Sequence, residues 1–186
     1  KSLEEKTREV INSEKRYREL FNAIKEGVYQ SEPGADGVFT FINKTGAEIL
    51  GYSSPEEVIG TKVKNIYVVP EDRNRLCDRL EKDGVWKDFV SLCKSKDGKS
   101  FYVERTSSMV KDEKGKPLYI YGVFRDISER KKAEQEVVES EQRYRLLFNS
   151  LKEGVYQSEP TEDGTFTWIN QAGAEILGYT SPGEVI

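Results

Sequence analysis

The chain has 186 residues, enough for one domain or two small ones, and its 36% hydrophobic and 11% aromatic content is too apolar for a disordered segment. Charged residues make up 33% and the net charge is −4, with Lys and Arg interspersed among Asp and Glu, so no basic footprint for DNA or RNA is visible. The absence of histidine removes Ser-His-Asp and Cys-His catalysis, histidine phosphotransfer and His-ligated haem together.

Residues 1–24 read as a charged N-terminal helix. Leu3, Val10, Tyr17 and Ile24 stand seven apart with Phe21 interleaved, the pattern of a pairing seam. Thr7 and Glu14 interrupt it, so any coiled coil is weak and a solvated single helix is the alternative. The start lacks both an initiator methionine and an apolar signal region, and the chain is expected to be cut from a longer protein.

A complete module is expected over 25–127. Gly27 to Glu32 and Val38 to Asn43 read as strands joined by the turn-forming Pro33-Gly34-Ala35-Asp36-Gly37. Gly46 to Leu50 suits a short helix stopped by Gly51, and Ser53-Ser54-Pro55 suits the start of a second. Pro70-Glu71-Asp72 opens a longer helix with Leu76 and Leu80 on one face, ending near Gly84. Three strands follow, Val85 to Lys94, Ser100 to Lys111 and Pro117 to Ile127, separated by the hairpin turns Lys96 to Lys99 and Asp112 to Lys116. Two strands, a helical block and three strands joined by hairpins predict an α+β fold, an antiparallel sheet with helices over one face.

No phosphate-binding glycine loop, dinucleotide fingerprint or calcium loop is present, and the carboxylates lie in turns or beside Lys and Arg, where solvation explains them. Cys77 and Cys93 form neither a disulfide framework nor a CxxC element, which fits buried structural cysteines in a reducing, cytoplasmic interior. The longest apolar runs, such as Ile66 to Val69 and Leu118 to Phe124, fall far short of the ~20 residues a membrane helix needs, so no membrane contact is expected of this chain.

Residues 128–151 read as a connector helix. Asp126 can cap it while Glu129, three residues on, reaches back to the cap amide, so Asp126, Ile127, Ser128, Glu129 and Arg130 form a junction between the last strand and the helix. The helix carries Val137, Tyr144 and Leu151 at the seam positions of the first.

Beyond it the sequence repeats itself. At an offset of 127 residues, Ser13 to Ile59 aligns without gaps with Ser140 to Ile186, and about three quarters of the positions are identical. Lys25 to Pro33 recurs unchanged as Lys152 to Pro160. A period this long denotes tandem globular modules, so 152–186 reads as the start of a second copy without its three long strands. That copy either exchanges with the same segment of another chain's first module or stays a partly ordered appendage.

The ordered set Asn43, Ala47 to Ser53, Glu56 to Gly60, Lys96-Asp97-Gly98, Gly122 to Arg125 and Asp126 to Glu134 resembles a PAS domain with its C-terminal PAC segment, over about 14 to 134 and again 141 to 186. The resemblance implies a five-stranded antiparallel sheet with helices over one face. It also implies a non-catalytic sensor and relay of signalling proteins such as sensor histidine kinases.

In similar domains a ligand lies between the helices and the inner sheet face. That makes Val28, Phe39, Phe41, Asn43, Leu76, Leu80, Phe89 and Thr106 the candidate pocket, with core packing as the alternative. The cofactor stays unknown. Light-sensing members of the family carry a cysteine just after the asparagine, and here Asn43 is followed by Lys44-Thr45, so a cysteinyl flavin is unsupported. Two function classes remain: a small-molecule sensor passing a change through the junction, and a ligand-free dimerisation module. A homodimer through helices or domain exchange is the expected partner state, with no metal site.

Overall fold

The computed structural model describes residues 3–162 and 164–186, with the side chains of residues 3–7, 9, 10, 14, 18 and 22 outside the description. Two compact units divide the chain, residues 1–131 and 132–186.

The first unit opens with helix α1 (Leu3–Ala23). Of its expected seam, Tyr17 is exposed, while the side chains of Leu3, Thr7, Val10 and Glu14 lie outside the described residues. Strands β1 (Gly27–Ser31) and β2 (Phe39–Ile42) form the predicted hairpin. Asn43 then caps α2 (Lys44–Ile49), its Oδ1 accepting the Gly46 amide at 2.9 Å. The second short helix expected at Ser53-Ser54-Pro55 is a single 3₁₀ turn, Pro55–Glu57, without a side-chain cap from Ser54. Another 3₁₀ turn, Val63–Ile66, leads to α3 (Glu71–Asp83). Glu71 and Asp72 favour the N-terminal end of the α3 dipole, and Gly84 ends the helix in the left-handed region at φ 77°, where a side chain would be strained.

The long strands β3 (Val85–Lys94), β4 (Ser100–Lys111) and β5 (Pro117–Asp126) turn where the sequence places the hairpins. The sheet order is β2-β1-β5-β4-β3, so β5 returns to lie beside β1 and the helical block crosses between the two edges. The fold is the expected α+β arrangement, a five-stranded antiparallel sheet with α2 and α3 against one face. Tyr29, Phe39, Leu50, Leu76, Leu80, Val103, Ile120 and Phe124 fill the layer between them. Gly27 is required there, because a Cβ on it would stand 2.4 Å from the Phe124 ring.

The helix α4 (Ser128–Ser150) follows directly from β5. In the second unit β6 (Tyr156–Ser158) and β7 (Phe166–Ile169) form a two-stranded ladder, and α5 (Gln171–Ile176) repeats α2. Among the described residues no helix is long and apolar enough to cross a membrane, and no group of His, Cys, Asp or Glu is placed to hold a metal.

Candidate functional site: the core face and the junction

Strand alternation puts Gly27, Tyr29 and Ser31 of β1 on the inner face, with Val103, Arg105, Ser107 and Met109 of β4. Val28 and Thr106 therefore occupy the opposite face, one register from the expected pocket. Thr106 instead borders an open groove of about 130 Å³ on the outer face, with Val123 and Arg125. Phe41 is only half-buried; it packs edge-on against Phe21 of α1 at 5.7 Å and lines a separate cleft of about 330 Å³. Phe39, Leu76, Leu80 and Phe89 are in the core, and of these Phe39 borders the internal cavity.

Asn43 is buried, but its polar atoms face the fold itself. Oδ1 accepts the amides of Val28 (2.8 Å) and Gly46 (2.9 Å), and Nδ2 donates to the carbonyls of Phe21 (2.9 Å) and Glu26 (3.0 Å). That uses both donors and both lone pairs of the amide, so Asn43 staples the end of α1 to β1 and α2 and has nothing left for a ligand.

The internal cavity is small, about 10 Å³, room for about one water. Its walls are Phe39, Leu50, Val63, Ile66, Val103 and Phe124, with Tyr29 and Arg105 at the polar side. The Tyr29 hydroxyl and Ser107 Oγ share a 2.7 Å hydrogen bond. Arg105, 3% exposed, donates from Nη1 to the Tyr67 hydroxyl (2.5 Å) and from Nη2 to Ser91 Oγ (3.1 Å) and Cys93 Sγ (3.0 Å). Its guanidinium also lies over the Tyr67 ring, 4.6 Å from the centroid, while Nε has no partner. Burial pushes the Tyr67 phenol above its ordinary range despite the neighbouring guanidinium, so Tyr67 is a neutral partner.

Arg73 is the second buried guanidinium. Its Nε donates to the Gly34 carbonyl (3.2 Å) and Nη2 to the Glu32 carbonyl (2.9 Å), which ties α3 to the β1–β2 turn. Neither arginine was singled out from the sequence. For Arg105 a signal existed, since it falls on the same phase as Phe101, Val103 and Met109, where an exposed cation is out of place.

The junction residues meet the outer face of the same strand through Tyr102 and Glu104. Glu104, next to Arg105, points outward and is clamped from two directions. Arg125 at the end of β5 donates to Oε2 from Nε (2.8 Å) and Nη2, and Arg130 in the first turn of α4 donates to Oε1 (2.7 Å). Bonds from Arg125 and then Arg130 hold the Glu104 carboxyl below its ordinary range. Asp126 Oδ1 accepts the Ser128 amide at 2.8 Å from one position before the N-cap, Ile127, and Glu129 is exposed. Ser128 Oγ accepts the Tyr102 amide and the Ile127 amide reaches the Tyr102 carbonyl, both at 2.9 Å, so the start of α4 is sewn to β4.

The chain is similar to several solved structures. One is the PAS domain of a protein from Colwellia psychrerythraea, at 20% identity and a TM-score of 0.53 over 62% of this chain and 97% of that one. Another is the PAS domain of an HTR-like protein from Haloarcula marismortui, at 22% and 0.52 over 67% and 99%. A third is a sensory box histidine kinase/response regulator from Burkholderia thailandensis E264, at 16% and 0.52 over 70% and 98%. No curated protein matches the chain. The family model described as PAS domain matches residues 34–129, and a second model of the same description matches residues 142–186. With more than half of its length matched in this way, the chain belongs to the PAS domain family, whose members are sensory, non-catalytic modules of signal transduction.

Proposed function

We propose that residues 25–127 sense a small molecule in the core and pass the change through the junction to the helical connector 128–151. The observation that carries this reading is the pair Glu104 and Arg105. Successive residues of β4 face opposite sides, so one strand bears the guanidinium at the cavity and the carboxylate that grips α4. A shift of β4 on the inside is then felt by Arg130 on the outside. Asp126, Ile127 and Ser128 make the path short, because both sides of the turn are bonded to Tyr102.

The test is amide hydrogen exchange over the first two turns of α4 in the whole chain. Both Glu104→Gln, on the outer face, and Arg105→Gln, on the inner, are expected to speed exchange there. An unchanged rate in Arg105→Gln overturns the relay.

The alternative is a ligand-free interaction module, favoured by a cavity that holds no more than about one water. Native mass spectrometry of protein extracted without denaturation separates the two: a retained small molecule supports sensing, and a bare mass with self-association that depends on α4 supports relay alone. We assign a homodimer, through the helices or through domain exchange. Exposed Tyr17, Val137 and Tyr144 support helix pairing. Light scattering that finds only monomer at high concentration overturns both. Two free, buried cysteines fit a cytoplasmic setting.

A further inference from the structure

Resting on the sensory reading of this same cavity, we propose that its ligand is a small monocarboxylate with a short apolar tail, held by Arg105. A guanidinium cannot shed its proton in a protein, so burial leaves Arg105 charged. All its hydrogen-bond partners are groups of the fold: a phenol, a hydroxyl and a cysteine sulfur. Among the described residues no carboxylate pairs with it, and Nε is buried without any acceptor. A buried cation in that condition is unfavourable until an anion arrives.

Arg73 likewise leaves one nitrogen, Nη1, buried without a partner, but it does not line this cavity. Two backbone carbonyls and Ser31 Oγ take up its Nε and Nη2, and it serves the β1–β2 turn. Arg105 instead borders a cavity whose other walls are almost entirely hydrocarbon, so the complementary molecule has one anionic end and an aliphatic remainder. The cavity must grow to admit it. One wall is the 3₁₀ turn Val63–Ile66, which runs directly into Tyr67, the partner of Arg105. Admission of the carboxylate therefore pulls on Arg105 and on β4 together.

The experiment uses the whole chain with sodium butyrate, butyramide and sodium chloride at matched ionic strength. Butyrate is expected to raise the melting temperature by about 2–8 °C at tens of millimolar, a shift of the size that mass action gives a domain this large. Butyramide and chloride should leave it in place, and Arg105→Gln should lose the butyrate response.

A second readout needs no variant: in ¹⁵N-labelled wild type, one arginine Nε–H resonance should move with butyrate and stay with butyramide. An unmoved resonance, equal effects of butyrate and butyramide, or equal effects of butyrate and chloride each overturn the carboxylate. Retention of a neutral molecule in native mass spectrometry also overturns it but leaves sensing intact. A bare protein that answers to no ligand, with α4 exchange unmoved by Arg105→Gln, overturns both.

Discussion

The same stretch of sequence appears twice in this molecule under different conditions, and the pair separates what is settled locally from what the rest of a fold imposes. Asn170 repeats every bond of Asn43, accepting the amides of Val155 (2.9 Å) and Gly173 (2.8 Å) and donating to the carbonyls of Phe148 and Glu153 (both 2.9 Å). The hairpin bulge recurs at the equivalent step, and Phe148 meets Trp168 as Phe21 meets Phe41. Burial recurs only around the cap, where Ile169, Asn170 and Ala174 are buried like Ile42, Asn43 and Ala47. Tyr29 is 2% exposed and Tyr156 61%; Leu50 is fully buried and Leu177 50% exposed. Backbone geometry thus follows from residues near in sequence, whereas the apolar face is completed only where α3, β4 and β5 pack with it.

The largest expected contrast comes from Leu50→Ala against Leu177→Ala. The first should cost about 2–5 kcal/mol in urea unfolding of the complete module, the second under about 0.5 kcal/mol. Equal losses would mean that the second face is covered in solution. Asn43→Ala is expected to cost about 2–3 kcal/mol, because it strands two amides and two carbonyls, while Asn170→Ala should leave the main transition unmoved.

Two further changes lie outside the repeated stretch. Asp126→Ala should lower stability by about 0.5–2 kcal/mol and reduce helicity, read by thermal melting and circular dichroism. The smallest effect is the Glu104 clamp, worth under about 1 kcal/mol because both arginines are half-exposed and screened. Since its carboxyl is held below the unfolded value, this contribution is fully present above pH ~4.3 and fades as pH falls through the lowered native value. Glu104→Gln should remove that acid dependence from the urea midpoint, and added salt should weaken it in the parent chain.

Much of the fold was legible because its punctuation is local. Pro70 and Gly84 bracket α3, and the glycines of Lys96 to Lys99 and Asp112 to Lys116 mark hairpins. The pairing of β1 with β5 was not, since nothing within either strand names a partner some 90 residues away. Val28 and Thr106 were expected inside while Tyr29 and Arg105 are there, because the buried phase of β1 and β4 carries polar groups, Ser31, Arg105 and Ser107, beside its apolar ones and gives no clean alternation. The short turn at Pro55 looked like a helix because a serine and a proline fit either. Asn43 was legible as a special residue but for the wrong reason, since only the geometry exposes how fully its amide is occupied.

That occupancy bears on how such a chain can lengthen. Every group Asn43 ties together lies between Phe21 and Gly46, so the stretch carries its own assembly instructions and asks nothing of what comes later. A duplication event that copies this stretch copies a working beginning, whatever strands are appended to it. Asn170 is such a beginning: its bonds are made beside a sheet of only two strands. Growth by doubling then needs no redesign at the seam between old and new, only a supply of apolar strands to finish each addition.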